Sequence, residues 1–364
     1  MASFIKHGLK PFIKNHKKLY FFTKCLKERN NSEFIDKVLE TNANWLYFQH
    51  RGEACSDKIV YDITIGRKGY GFFAEYRDML DFLYFADEHG LTPSVEFGEL
   101  FNYEPFSFTK YFKPVSGLAR EDVLVAKNVV EAIDKHRYGL NRFATHDNAY
   151  GVTDEYVSSR AFVTAKYIEL SDEMKIYIDE SKQGFSDIKD AAKRGFSDIK
   201  DASQEVLSDM SMSNVLGVHV RGTDFKAGYI DHPAFVTFEE YLEKTIEVME
   251  KKGFEKVFIA TDDDGALDLF KSHLGDKLLY FTDVNRATGD KAVVFDDKTL
   301  SPFELGKQVL RDMMTLAECG GIIMGLSNVG VCSLITNKAK FPEFKSVTIL
   351  DKGINKTGRD FDLG

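Results

Sequence analysis

Apolar and polar positions follow two rhythms along this chain, and the change of rhythm divides it. In residues 211–351, short runs rich in Val, Ile and Leu alternate with stretches whose apolar residues recur three and four apart. Runs of the first kind predict buried parallel strands, and the second kind predicts amphipathic helices. Strands are expected at 215–220, 256–260, 278–282, 321–325 and 346–350. Helices are expected at 237–251, 264–272, 304–317 and 328–335, with Asp264 capping the second of them. Such alternation builds a mostly parallel sheet covered on both faces.

The first half is less regular. Residues 58–64 read as a strand because β-branched and aromatic residues cluster there. Gly66, Gly69 and Gly71 then interrupt the pattern, and Phe73, Tyr76, Met79, Leu80, Leu83 and Ala86 recur at helical spacing over 72–88. Gly90 is a natural C-terminal stop, and 93–97 reads as the next strand. In this β–loop–α–β unit the Gly-rich loop lets a ligand approach the backbone closely. Residues 98–150 carry many aromatics without periodicity and read as irregular structure, whereas 155–182 reads as helical. An eleven-residue repeat follows, GFSDIKDA at 184–191 recurring at 195–202. The period is close to three helical turns, so it reads as a duplicated helical insertion on the surface.

At 364 residues, two domains are expected. The fold class predicted is α/β, with two Rossmann-like halves and parallel sheets facing a cleft. The divisions are a basic helical extension at 1–54, an N-terminal half at 55–210 with its insertion near 183–205, a C-terminal half at 211–351, and a tail at 352–364. The tail has little apolar content and reads as loose or laid on the surface.

A net charge of −9 excludes a general nucleic-acid binder, so a phosphate-bearing ligand must be held by local cations. The four cysteines, Cys25, Cys55, Cys319 and Cys332, form no C-x-x-C pair, which points to free thiols in a reducing compartment. No apolar run reaches the roughly 18–20 residues that span a bilayer. Residues 1–31 are basic and amphipathic. They read first as a helix packed on the domain, and second as a peripheral contact with an anionic membrane.

Three strand ends carry the candidate chemistry. The run 215–220 ends in His219, Arg221, Thr223 and Asp224. An Arg at a strand's C-terminal end offers a fork of donors suited to phosphate oxygens. The run 256–261 ends in Asp262, Asp263 and Asp264. A carboxylate there can accept from a purine's N–H groups, or three together can hold a divalent cation. Ser327 and Asn328 open a helix after the apolar run 321–325, with Asp312 upstream, and a helix N-terminus favours anions.

These segments resemble the GT-B fucosyltransferase superfamily, which includes α1,6-fucosyltransferases, the nodulation fucosyltransferase and protein O-fucosyltransferases. The run His219-Val-Arg-Gly-Thr-Asp224 resembles its first donor motif, Phe258-Ile-Ala-Thr-Asp-Asp263 its second and Leu326-Ser-Asn-Val329 its third. Gly71-Phe72-Phe73-Ala74 is similar to its Gly-rich first loop. The resemblance covers about 55–350 and implies an inverting, metal-independent transfer of fucose from GDP-fucose, with no further cofactor. It implies that His219 and Asp263 contact guanine or ribose, that Arg221 binds the β-phosphate, and that Ser327 and Asn328 touch the diphosphate. Thr223, Asp224, Asp262, Gly71 and Phe72 complete the expected donor site. Gly222 departs from the pattern, standing where α1,6-transferring members carry a second Arg.

The expectation is therefore a cytoplasmic glycosyltransferase, with residues 1–30 able to touch the inner membrane. Its donor is a nucleotide sugar and its acceptor a glycan of bacterial surface polysaccharide. Asp231, on a loop after the first motif, is the expected general base, with His232 and Glu75 as alternatives. Transfer from another nucleotide sugar, or non-catalytic binding by the same fold, are the competing readings.

Overall fold

The structure, a computed structural model, describes residues 46–132, 150–193, 211–287 and 300–359 together with Thr23, without the side chains of 47–48, 132, 183–193 and 224. The basic segment 1–31 (Thr23 apart) and the second repeat copy lie outside the described residues. The first copy falls within helix α5 below.

In the N-terminal half come β1 (Leu46–Gln49), β2 (Val60–Ile65), α1 (Phe72–Glu88), β3 (Thr92–Phe97), the short α2 (Phe108–Tyr111) and α3 (Arg120–Leu124), β4 (Val129–Ala132), α4 (Asp154–Tyr167) and α5 (Asp172–Lys193). The sheet order is β1-β4-β2-β3. Its β2 pairs in parallel with β3 and β4, but β1 runs antiparallel to β4.

Two expectations are corrected here and two sharpened. Residues 46–49 form a strand of this sheet, although 1–54 read as a helical extension. The segment 98–150, read as irregular, contains α2, α3 and β4. The sheet is parallel, as expected, except for β1 at its edge. The helical stretch expected over 155–182 is two helices. At that break Ser171 accepts from the Met174 amide and donates its own N–H to the Tyr111 carbonyl, and Leu170 bridges to Phe112. Pairing to a distant segment thus pulls the chain out of the helix.

In the C-terminal half come β5 (Val215–Val220), the short α6 (Thr223–Lys226), α7 (Phe238–Lys252), β6 (Lys256–Thr261), α8 (Asp264–Leu274), β7 (Leu278–Leu279), α9 (Pro302–Glu318), β8 (Gly321–Gly325), α10 (Asn328–Lys340) and β9 (Val347–Leu350). All pairings are parallel, in the order β7-β6-β5-β8-β9. Local chemistry sets the boundaries. Thr237 and Glu240 form a reciprocal capping box at the start of α7, and Gly253 ends it at φ 73. Ser301 caps α9 with Pro302 at its first position. Two boundaries differ from expectation by more than two residues: β7 stops at Leu279, and α10 runs on to Lys340.

The chain winds outward from β5 in one direction through β6 and β7. It returns to the other side of β5 for β8 and β9. The winding therefore reverses between β5 and β8, and in open α/β sheets ligands bind outside the strand ends at such a reversal. Every residue of β5 and β8 is buried, which explains their continuous apolar character. One core runs through both halves, from Tyr61, Phe72 and Leu83 to Phe258, Leu316, Met324 and Val331.

Residues 353–359 form a strap. Tyr229 bridges to Arg359 and Pro233 to Ile354. The amides of Ile230, Asp231 and Ala234 donate to the carbonyls of Arg359, Asn355 and Gly353 at 2.8–3.0 Å. The Asn355 side chain adds a bond to the Tyr229 carbonyl at 3.1 Å. Residues 353–359 of the tail are therefore laid on the surface and fixed there, because their backbone groups complete those of the 229–234 loop. Among the described residues no helix is long and apolar enough to cross a membrane.

Candidate functional site

A cavity of about 580 Å³ opens at the reversal point, between the Gly-rich loop and α1 on one side and the ends of β5 and β8 on the other. Its size lies within the ordinary range for a small-molecule site.

The C-terminal wall is built by strand ends. Arg221 follows β5 and lines the cavity. Its guanidinium donates to Asp262 Oδ2 at 2.5 Å. The same carboxylate accepts from the Gly222 amide at 2.9 Å and the Thr223 hydroxyl at 2.7 Å. Burial pushes the Asp262 carboxyl up, but Arg221 and these donors outweigh it and hold it below the usual range. Asp262 and Thr223 do not line the cavity. They stand behind Arg221 and fix its loop.

Asp263, at the next position, is not available to a ligand in the same way. It is the N-cap of α8, the role expected of Asp264, and accepts from the amides of Gly265 and Ala266 at 2.9 and 3.3 Å. Its other oxygen pairs with Lys226 at 2.5 Å. The departure at Gly222 has a steric cause. A Cβ there would stand 2.5 Å from Cβ of Asp263 and 2.7 Å from its carboxylate, so no larger residue fits without moving the cap. The backbone of Asp224 belongs to α6, and its side chain is outside the described set.

His219 lies inside β5, and its Nδ1 meets the Ser327 hydroxyl at 2.9 Å. That contact joins β5 to the start of α10 across the reversal. Burial, helped by Arg221, pushes the His219 imidazole down to about 4, so it is neutral near pH 7. Ser327 is the N-cap of α10, accepting from the Gly330 amide at 3.1 Å, and with Asn328 and Val329 it lines the cavity. Asp312 lies on α9 and does not line the cavity. Burial pushes its carboxyl up to about 6.

The N-terminal wall comes from Gly69, Tyr70, Gly71, Phe72 and Arg77, with Tyr103 and Tyr150 beside them. Gly71 precedes α1, with no atom within 4 Å of where a Cβ would point. Phe72 is held edge-on by Phe97, Phe101, Tyr103 and Tyr111. Glu75, an alternative base, is buried and tied to Arg67 at 2.9 Å.

Asp231 and His232 both line the cavity. Asp231 sits at φ 63, a left-handed conformation that Asp tolerates better than most residues and that the strap holds in place.

The sequence reading missed Arg77. It is buried on α1, reaching the Tyr156 hydroxyl at 3.2 Å, Asn328 Oδ1 at 3.0 Å and the Tyr150 carbonyl at 3.0 Å. A signal did exist, because position 77 lies one turn from Phe73 and three residues before Leu80, on the apolar stripe. A cation on the core face of a helix needs a reason.

Neither a family model nor a curated protein matches this chain. Several solved structures are similar in chain path. NodZ alpha-1,6-fucosyltransferase co-crystallised with GDP is 16% identical, covering 77% of this chain and 91% of its own, at a TM-score of 0.42. POFUT1 in complex with GDP is 12% identical, covering 80% and 98%, at 0.43. POFUT1 in complex with GDP-fucose is 11% identical, covering 82% and 99%, at 0.42.

Free thiols are present at Cys55, Cys319 and Cys332, while Cys25 lies outside the described residues. Burial raises the latter two of the three well above the ordinary thiol range, so they are inert packing groups. Among the described residues, no group of three or more His, Cys, Asp or Glu side chains is arranged to hold a metal ion.

Proposed function

We propose that this protein is an inverting, metal-independent glycosyltransferase that moves fucose from GDP-fucose to a glycan of bacterial surface polysaccharide in the cytoplasm. The observation that carries the reading is Arg221 in the cavity at the reversal point, immobilised by Asp262 and facing the capped start of α10. Such a site is suited to a diphosphate leaving group. The choice of guanine and fucose rests on the three motif resemblances, which Gly222 weakens for an α1,6 linkage. Residues 211–351 would hold the donor and 55–210 the acceptor.

In this mechanism an acceptor hydroxyl attacks the anomeric carbon from the face opposite the diphosphate. The new C–O bond forms as the old one breaks, and the electron pair leaves with GDP. Arg221 stabilises the charge that develops on the diphosphate, a task otherwise given to a metal cation. Asp231 takes the hydroxyl proton. Held by the strap at the cavity edge, its carboxylate is the lining acid not already paired to Arg67, unlike Asp78. His219 stays neutral and orients the Ser327 hydroxyl.

The test is thermal stabilisation by GDP, UDP and ADP, with and without Mg²⁺, at about 100 times the dissociation constant, where binding adds roughly 2.7 kcal/mol. Stabilisation by GDP alone, unaffected by Mg²⁺, supports the reading, with fucose transfer from GDP-fucose as the next assay. Preference for UDP or a need for Mg²⁺ indicates a different transferase, and no shift with any nucleotide indicates a different ligand class. Asp231→Asn is expected to bind GDP normally and to lose about 100-fold or more in turnover.

A further inference from the structure

The N-terminal wall of the cleft holds a cation with no carboxylate in direct contact among the described residues. Arg77 is 3% exposed and lines the cavity. Its hydrogen-bond acceptors, the Tyr156 hydroxyl, Asn328 Oδ1 and the Tyr150 carbonyl, are all neutral. Among the described residues no carboxylate pairs with it. The nearest acids on its own helix are committed elsewhere. Asp78 pairs with Arg67, and Asp81 pairs with the fully buried Arg160. Arg77, Arg160 and Asp81 therefore make a buried set of two cations and one carboxylate. Burial pushes that carboxyl up to about 6, which weakens it further as a counter-charge.

A buried guanidinium is costly without an anion. This one remains protonated, its pKa raised despite the burial that opposes its charge, with the Tyr156 hydroxyl accepting its hydrogen bond. Its fork is held at three points and grips Asn328, the first residue of α10, beside the Ser327 cap. It therefore stands at the anion-favouring end of a 13-residue helix, in the cavity that Arg221 lines from the other half.

We propose that Arg77 is a second cation for the donor's diphosphate, supplied by the wall opposite Arg221, so that one bound nucleotide ties the two halves together. The inference rests on the nucleotide-sugar reading for the identity of the anion. It goes beyond that reading in assigning the N-terminal half a charge that holds the diphosphate, besides the expected Gly71 and Phe72.

The experiment is calorimetric titration of the full chain with GDP, GMP, guanosine and inorganic pyrophosphate, in wild type, Arg77→Met and Asn328→Asp. The last variant hardly changes volume, and an acidic residue suits a first helical position. It supplies Arg77 with an internal anion and guards against a misfolded Arg77→Met. Both variants are expected to lose about 10- to 100-fold in GDP and pyrophosphate affinity and less than about threefold for guanosine. GDP and pyrophosphate binding equal to wild type in either folded variant overturns the inference and leaves the nucleotide reading intact. Equal losses for guanosine and GDP also overturn it, since the effect would then be structural. If wild type binds pyrophosphate in an Arg77-dependent way but binds no nucleotide more tightly, the anion site stands and the GDP-fucose reading falls.

Discussion

The two walls of the cleft meet the same demand by different means. On the C-terminal wall, Arg221 comes with its own carboxylate. Asp262 lies on the neighbouring strand end and takes the Arg221 guanidinium, the Gly222 amide and the Thr223 hydroxyl together. On the N-terminal wall, Arg77 comes with neutral partners drawn from distant segments: α4, Tyr150 in the loop before that helix, and α10. The first wall is preset before any ligand arrives. The second is assembled only when the halves have packed, and its charge is left for something else to meet. One cleft thus combines a rigid strand-end platform with an opposing face whose electrostatics are unfinished.

The largest expected effect comes from removing the preset cation. Arg221→Ala should lower turnover by about 10³-fold, the scale of losing a preorganised charge at the transition state, with little change in melting temperature. Steady-state transfer beside a melting curve checks this. Near-normal turnover would place the working cation elsewhere and remove the asymmetry between the walls.

Acid should expose the cost of the buried imidazole behind that platform. The folded His219 titrates at about 4, against an ordinary value near 6.5. Between these values the unfolded chain binds a proton that the folded one refuses, so stability falls as pH drops through this window. The loss amounts to up to about 3 kcal/mol. Asp81 and Asp312, each raised to about 6, act oppositely, taking up protons on folding over a similar range. The informative quantity is therefore the difference between wild type and His219→Asn in denaturant titrations from pH 7 to pH 4. Curves that stay parallel would mean that the imidazole is not buried neutral.

Removing the carboxylate that presets Arg221 should cost about 2–3 kcal/mol, because Asp262→Ala strands a guanidinium, an amide and a hydroxyl together. Chemical denaturation measures it. A loss below about 0.5 kcal/mol would show that the loop does not depend on that residue.

The smallest effect tests the tight approach behind the loop. Gly222→Ala should destabilise by about 1–2 kcal/mol as the new methyl displaces Asp263 from its cap, seen as a lower melting temperature. An unchanged melting temperature would mean that the cap yields freely and that Gly222 is not sterically required.

The same contrast between walls explains what could be read from the chain. The platform was legible because its parts are local. Apolar runs at 215–220, 256–261 and 321–325 end in polar residues at once, and each helix start carries its own cap. Even there, Asp263 rather than Asp264 proved to be the cap, a one-residue difference that decides which carboxylate is committed. Of the opposing wall only Gly71 and Phe72 were legible, because Arg77, Tyr103 and Tyr150 meet only through packing of segments far apart in sequence. For the same reason β1 and β4 escaped notice. Each is four residues long, too short for a periodic signal, and each exists by virtue of pairing with the other. The strap was missed because its contacts, the Asn355 side chain apart, are backbone to backbone and leave no side-chain pattern.

That strap also sets a timetable. The loop carrying Asp231 and His232 leaves the ribosome long before residues 353–359, yet the amides of Ile230, Asp231 and Ala234 find their acceptors on that late segment. During synthesis the platform around Arg221 can form as soon as β5, β6 and β8 are out, while the edge of the cleft waits for residues 353–359. The cleft is therefore finished from the back forwards, its strand-end platform before its rim.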